Sequence, residues 1–268
     1  MIGINTNSAS LVAQKNLVAN SAGLQNSIAR LSSGLRVNSA RDDAAGLAIA
    51  TRMSADIRGM DVAKRNANDG VSALQVADGT LGAVSDNLQR MRELAVQSAT
   101  GTLTSSDRTN LDAEFQALNT EISDQVSKAN FNGVKLLDGS AAALTIQTGA
   151  KTGETISANL VNASAFDVGG DVTSVANANT ALTAIDTQLD ALNTGRATLG
   201  AGINRLDAAV SNLSTTMTNL SSARGRIMDA DFASETANLT RSQILQQAGT
   251  AMLAQANQLP NNVLSLLR

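Results

Sequence analysis

"LTAIDTQLDALNTGRATLGAGINRLDAAVSNLSTTMTNLSSARGRI", residues 182–227, decides the fold class. Leu182, Ile185, Leu189, Leu192, Leu199, Ile203, Leu206, Val210, Leu213, Met217, Leu220 and Ile227 recur at alternating intervals of three and four, and only Arg196 and Arg224 break the apolar rule. A 3,4 alternation sustained over this length marks a helix whose narrow apolar seam follows a partner helix. At ~1.5 Å rise per residue the segment spans roughly 68 Å, too long for the helix of an ordinary compact domain. The predicted element is a rod.

Upstream, residues 43 to 100 carry Met53, Ile57, Met60, Val71, Leu74, Leu81, Val84, Leu88, Met91 and Ala95 on a drifting helical face, which fits a helix with a stutter better than strict heptads. In "TSSDRTNLDAEFQALNTEISDQVSKA" (104–129), Thr104 or Ser105 is an N-cap with an acid soon after, and Leu111, Phe115, Leu118 and Ile122 mark one face. That predicts a shorter antiparallel helix. Leu144, Ile146 and Thr148 alternate before "GAKTG", and Ile156, Ala158 and Leu160 after it, so a β-hairpin is expected at about 140–162. Residues 161–178 read as a loop without a core of their own. The fold class is therefore mainly α: a long antiparallel helical bundle or coiled coil with one small β-hairpin region.

Both ends are amphipathic. Leu17, Leu24, Ile28, Leu31 and Leu35 mark the first helix, and Leu245, Met252, Leu259 and Leu266 repeat every seven residues in the last, with Pro260 placed to bend or restart it. Antiparallel pairing of the two ends is the simplest closure. Their charge is unusual: all 23 acidic residues lie between Asp42 and Glu235, residues 1–29 hold only Lys15, and residues 236–268 hold only Arg241 and Arg268. A solvated helix carries a charged outer face. Here Asn, Gln, Ser and Thr stand in its place, so both ends read as helices to be enclosed by partners.

Composition excludes much chemistry. The chain has no Cys and no His, which removes disulfides, thiolate zinc sites, the commonest metal ligand and the commonest general base. No cofactor or metal is expected, and no enzymatic activity. A net charge of −3 without a basic, aromatic-rich stripe argues against nucleic acid as a partner. No apolar run is long enough to insert in a membrane, and "MIGINTNSASLVAQKNLVAN" (1–20) has neither the basic nor the apolar region of a cleaved signal.

"LSSGLRVNSARDDAAGLAI" (31–49) interrupts the helical pattern with glycines, arginines and adjacent acids. Asp42 and Asp43 are candidates for metal ligands or an acid/base pair, but neighbouring helix positions do not face the same way, and acids at a helix start favour the macrodipole. Arg30, Arg36 and Arg41 are candidates for anion binding or for ion pairs between subunits. Gly34 and Gly46 fit no phosphate-loop spacing and read as points of flexibility or close backbone approach.

The wording of "SIARLSSGLRVNSARDDAAGLAIATRM" (27–53), "LQRMRELAVQSATGT" (88–102), "NFNGVKLLDG" (130–139) and "RGRIMDADFASETANLTRSQILQQAGTAMLAQANQLPNNVLSLLR" (224–268) resembles bacterial flagellin over roughly residues 1–139 and 180–268. The resemblance implies a structural subunit that polymerises into the flagellar filament for swimming motility, in a minimal form without extra outer domains. It implies inner tube-forming helices at 1–43 with 228–268, and an outer rod domain at 44–227. Leu17, Leu24, Ile28, Leu31, Leu245, Met252, Leu259 and Leu266 would pack the filament core, and Arg30, Gly34, Arg36, Arg41, Asp42 and Asp43 would form the joint and its subunit contacts. The implied partners are further copies of the chain, a flagellar export chaperone, the filament cap and hook–filament junction proteins. The implied route is the flagellar type III export apparatus, ending in the extracellular filament, with the isolated monomer disordered at both ends. In flagellins with this "LQRxRELAVQSA" segment, the positions of Gln89, Arg90, Leu94, Gln97 and Glu114 contact the mammalian Toll-like receptor that senses flagellin, which makes that receptor a partner implied for the monomer. The alternatives are a hook–filament junction protein and a flagellin-like cell-surface adhesin.

Overall fold

The computed structural model describes residues 6–266, with side chains described for 6–258. Its helices are α1 (Ser8–Ser33), α2 (Ala44–Ser98), α3 (Ser105–Lys128), α4 (Val175–Met228) and α5 (Phe232–Leu266). Four short strands lie between α3 and α4: β1 (Asn130–Phe131), β2 (Val134–Lys135), β3 (Ala143–Gln147) and β4 (Thr155–Asn159). The chain forms two compact units, Met1–Ala55 with Asn219–Arg268 (unit 1) and Asp56–Thr218 (unit 2). These boundaries fall inside α2 and α4. Helix continuity and compact packing are separate properties, and the first does not set the second.

Unit 2 is built on the seam between α2 and α4. Ile185, Leu192, Leu199, Leu206 and Leu213 are buried at every seventh position, flanked by half-buried Leu182, Leu189, Ile203 and Val210. Arg196, which breaks the apolar rule, donates from Nε to Asp78 Oδ1 of α2 at 2.8 Å. In α2 the expected stutter is absent. From residue 63 to 98 one line of buried positions, Ala63, Ala67, Gly70, Leu74, Ala77, Leu81, Val84, Leu88, Met91, Ala95 and Ser98, keeps a strict 4,3 alternation, with Ala73 and Leu94 buried beside it. The regularity is hidden in sequence because Ala and Gly hold seam positions that an apolar pattern would give to Leu. They are small because the neighbours come close: a Cβ on Gly70 would lie 2.2 Å from Ile146 Cδ1.

α3 packs Phe115, Ile122 and Val126 into the same core. It starts where predicted, with a capping box in which Asp107 N donates to Thr104 Oγ1 at 3.3 Å and Thr104 N donates to Asp107 Oδ2 at 3.0 Å. β3 and β4 form the expected hairpin, with Ile146 opposite Ile156 and Leu144 opposite Ala158. A second, unforeseen strand pair joins Asn130 to Lys135 and Phe131 to Val134. Its two-residue turn is Asn132–Gly133, both at positive φ (49° and 82°), the Asn-Gly signal of a tight hairpin.

The segment 161–174 departs from expectation. It contributes Ala163, Phe166, Val168 and Val172 to the unit 2 core. α3 fastens it in place: Val168 N donates to Asn119 Oδ1 (3.2 Å), Val172 N to Asp112 Oδ1 (3.0 Å) and Gln116 Nε2 to the Gly170 carbonyl (2.8 Å). Buried Ser98 donates its hydroxyl to the Val172 carbonyl. Apolar residues at irregular spacing carry no periodic signal, so sequence pattern alone misses such a segment.

Candidate functional site

Unit 1 pairs α1 with α5 antiparallel. Asn7 caps α1, its Oδ1 accepting from Ser10 N at 3.0 Å, while its Nδ2 donates to the Ala256 carbonyl at 2.8 Å. Asn20 Nδ2 donates to the Ser242 carbonyl at 2.7 Å. Leu17 sits over Gly249, where a Cβ would meet its Cδ1 at 3.1 Å. At the far end Arg30 lies 3.8 Å from Glu235, a carboxylate largely withdrawn from solvent. On α1 the inward positions are Ser10, Leu17, Leu24 and Leu31 with Ala13, Asn20 and Ser27. On α5 they are Glu235, Ser242, Gly249 and Ala256 with Leu239, Gln246 and Leu253.

The stripe that meets α1 is built mainly of small and polar residues, with Leu239 and Leu253 among them. Leu245 and Met252 point away from it, 52% and 66% exposed. Small side chains let two helices approach closely, and the larger apolar groups are left on the outside. Ile28 is also exposed, whereas Leu17, Leu24 and Leu31 are half-buried against α5. The side chains of Leu259 and Leu266 lie outside the described residues. α5 runs through Pro260 without interruption of the helix.

The outward apolar surface is extensive: Leu11, Val12, Val18 and Ile28 on α1, and Ile244, Leu245 and Met252 on α5, are all more than half exposed. A groove of about 780 Å³ between the helices is lined by Val12, Leu17, Leu245 and Met252, among others. Exposed apolar groups concentrated in this way mark an interaction surface.

At the joint, Gly34 ends α1 in a left-handed conformation (φ 69°) and donates its N–H to the Arg30 carbonyl at 2.9 Å. The chain then forms a one-residue antiparallel bridge, Leu35 with Asp229. Arg36 N donates to the Met228 carbonyl (2.6 Å), Ala230 N to the Gly34 carbonyl (3.0 Å) and Arg36 Nη2 to the Ile227 carbonyl (2.5 Å). Arg36 thus caps the exposed carbonyls at the end of α4. Val37 is buried beside it.

The adjacent acids have separate structural tasks. Asp42 Oδ2 accepts from Asn38 N, Ser39 N and the Ser39 hydroxyl, and those bonds, the Ser39 hydroxyl's first, hold its carboxyl below the usual range. Asp43 accepts from Gly46 N at 2.8 Å and caps α2. A Cβ on Gly46 would lie 2.2 Å from Asp43 Oδ2, so a larger residue there would make the capping carboxylate turn aside. Arg41 is exposed and makes no ion pair among the described residues. The described residues contain no cluster of acids suited to a metal ion.

The second candidate surface lies on α2 and α3. Arg90 donates from Nε and Nη2 to Glu114 Oε1 (2.9 and 2.8 Å) and from Nη1 to Glu93 Oε2 (2.9 Å). Its hydrogen bonds to Glu114 and then to Glu93 raise its already high pKa. Gln89 and Gln97 are exposed on the same segment. Leu94 is not: at 1% exposure it belongs to the unit 2 core. Leu94 packs into the core beside the seam residue Ala95, a burial the motif alone does not reveal.

The model of the bacterial flagellin N-terminal helical region matches residues 4–142, and that of the C-terminal helical region matches residues 182–267. The chain belongs to the bacterial flagellin family. It is 47% identical over 270 residues to a flagellin of Halalkalibacterium halodurans and 42% identical over 309 residues to one of Xenorhabdus nematophila, each match covering 99% of both chains. Among solved structures it is similar to Bacillus cereus flagellin, with a TM-score of 0.52 and 34% identity over 60% of this chain and 94% of that one. A putative flagellar hook-associated protein of Vibrio parahaemolyticus has the same fold (TM-score 0.60) at 18% identity. Flagellins are structural proteins of the flagellar filament, not enzymes. Within the described residues, no helix of this flagellin is long and apolar enough to cross a membrane.

Proposed function

We propose that α1 and α5 form the inner layer of the filament and that their outward apolar faces are covered by neighbouring copies. The observation that carries this is the exposure of Leu11, Val12, Val18, Ile244, Leu245 and Met252 on a two-helix pair with few charges to solvate it. Burying a Leu or Met fully is worth ~1.5–3 kcal/mol, so several per subunit outweigh the entropy of fixing one subunit on another. Unit 2 then supplies the outer rod. Arg30 and Arg41, with the Gly34–Asp43 joint, contribute ion pairs and close approach between copies. Export through the flagellar type III apparatus, binding by an export chaperone, addition under a cap and attachment to junction proteins complete the reading, with swimming motility as the outcome. The absence of Cys suits transit of an extended chain, since nothing can cross-link.

Seeded polymerisation followed by sedimentation and negative-stain microscopy tests the assembly reading. The native chain forms filaments, and Leu245→Asp with Met252→Asp stays soluble with an unchanged monomer melting temperature. Assembly of that double variant at the native rate would overturn it.

The Arg90–Glu114 cluster with Gln89 and Gln97 offers a polar, solvent-facing surface for innate-receptor recognition of the monomer, and Leu94 supports it from beneath instead of making direct contact. A reporter-cell assay is expected to respond to native monomer and to lose at least tenfold in potency with Arg90→Ala. No response to native monomer at any dose would refute the recognition.

A further inference from the structure

The chain contains one Asn-Gly dipeptide, Asn132–Gly133, and three Asp-Gly dipeptides, at residues 69–70, 78–79 and 138–139. Such pairs share a reaction: the glycine nitrogen can close a five-membered ring on the preceding side-chain carbonyl, because glycine has no Cβ to crowd the approach. Closure depends on what holds the two groups, and the structure treats the four pairs differently.

Three are held. Asp69–Gly70 and Asp78–Gly79 lie inside α2, where the glycine N–H is committed to the helix ladder. Asp138 Oδ1 accepts from the Ser140 hydroxyl (2.5 Å) and from Ser140 N (2.9 Å), and these bonds, the hydroxyl's first, hold its carboxyl ionised and below the usual range. An ionised carboxylate is a poor target for a nucleophile. Gly139 is packed as well, since a Cβ there would lie 2.7 Å from Asn162 Cγ.

Asn132–Gly133 is free. It is the exposed two-residue turn between β1 and β2, with both residues at positive φ. Neither the Asn132 carboxamide nor the Gly133 N–H makes a hydrogen bond among the described residues. A Cβ on Gly133 would meet nothing within 4 Å, so the turn has room to change conformation. The carboxamide is also uncharged, unlike the carboxylate of Asp138.

We propose that Asn132 is a self-modification site of unit 2, converting without an enzyme to aspartate and iso-aspartate. Hydroxide takes the Gly133 N–H proton and the nitrogen bonds to Asn132 Cγ. The Cγ–Nδ2 bond then breaks, and Nδ2 takes a proton from water and leaves as ammonia. One water opens the ring. Attack at Cγ leaves an aspartate in a normal main chain, and attack at the Asn132 carbonyl carbon leaves iso-aspartate, with the main chain longer by one atom. Either product adds a negative charge to a groove that Asn132 and Asp69 both line. The longer chain no longer fits the two-residue turn that pairs Phe131 with Val134.

Peptide mapping of the full-length monomer tests this independently of any filament. The protein is held at about pH 7 and about pH 9, digested with trypsin, and compared by tandem mass spectrometry with an aliquot digested at the start. Cleavage after Lys128, Lys135 and Lys151 isolates Asn132 in peptide 129–135 and Asp138 in peptide 136–151. Asn132 is expected to convert roughly tenfold or more faster than Asn130 of the same peptide, which precedes Phe131 instead of glycine. Conversion is faster at the higher pH and gives both products. At about pH 5, Asp138 stays aspartate in the folded chain and isomerises in the chain unfolded by urea. An Asn132 that stays intact at about pH 9, or converts no faster than Asn130, would overturn the proposal. Isomerisation of Asp138 at equal rates in the folded and unfolded chains would overturn it too.

Discussion

Units 1 and 2 use the same device, a heptad-spaced antiparallel helix seam, and fill it in opposite ways. In unit 2 the large side chains turn inward: Leu74, Leu81, Leu88, Leu192, Leu199 and Leu206 are fully buried, and α3, the hairpin and the 161–174 segment cover the remaining apolar surface. In unit 1 the small and polar residues of α5 meet α1, and Ile244, Leu245 and Met252 face outward. The lesson is that periodicity reports the presence of a seam but not which stripe closes it. A helix pair that half-buries Leu17, Leu24, Leu31, Leu239 and Leu253 in its seam and leaves as many large apolar groups outside it gains further stability from whatever covers them.

Core deletions give the largest contrast. Phe115→Ala is expected to lower the stability of the monomer by ~3–5 kcal/mol and Leu199→Ala by ~2–5 kcal/mol, measured by denaturant unfolding. Leu24→Ala, half-buried in unit 1, is expected to cost about 1 kcal/mol or less in the monomer. Equal losses in the two units would erase the distinction. A smaller effect belongs to the start of α3, where Thr104→Ala removes a capping box and costs ~1 kcal/mol; a loss confined to the thermal midpoint of unit 2 would place it there.

The smallest effect is acid dependence. Asp42, Asp107, Asp138 and Asp171 are held below their ordinary value of 3.8 by hydrogen bonds, led by those from Ser39, Thr104, Ser140 and Asn177 respectively. A lowered carboxylate pKa stabilises the fold fully above the unfolded value and loses that contribution as pH falls through the folded one. The melting temperature of the monomer should therefore stay flat down to about pH 5 and fall below about pH 4. Replacing Asp171 with Asn should reduce the size of that fall, and an unchanged acid limb would show that its hydrogen bonds contribute nothing.

What could be read from the sequence follows from which signals are periodic and large. The α4 seam was legible because Leu, Ile, Val and Met mark it at every 3,4 step, and the α3 cap because Thr104 and Asp107 stand at capping-box spacing. The α2 seam was half-legible, since Ala63, Ala67, Gly70 and Ala77 pack as seam residues but do not stand out as apolar. On α5 the same small residues, Ser242, Gly249 and Ala256, meet α1 without standing out as apolar, while Leu245 and Met252 carry the visible period on the outer side. Phe166, Val168 and Val172 were illegible because irregular backbone has no period to reveal them. At the joint, the chemistry of Asp42 and Asp43 as turn and helix caps was foreshadowed by their place at a helix start. The contact of Arg36 with the end of α4 joins residues 191 apart and has no local signal.

Trypsin offers the most direct test, because its cleavage sites sample both units. Lys15, Arg30 and Arg241 lie on the paired helices of unit 1, and Arg196 and Arg205 on α4 of unit 2. In a verified monomer, cleavage at Lys15, Arg30 and Arg241 is expected to run at least tenfold faster than at Arg196 and Arg205. In the filament, the unit 1 sites should become as resistant as those of unit 2. Unit 1 sites protected in the monomer to the level of Arg196 and Arg205 would contradict the claim that its helices depend on neighbouring copies.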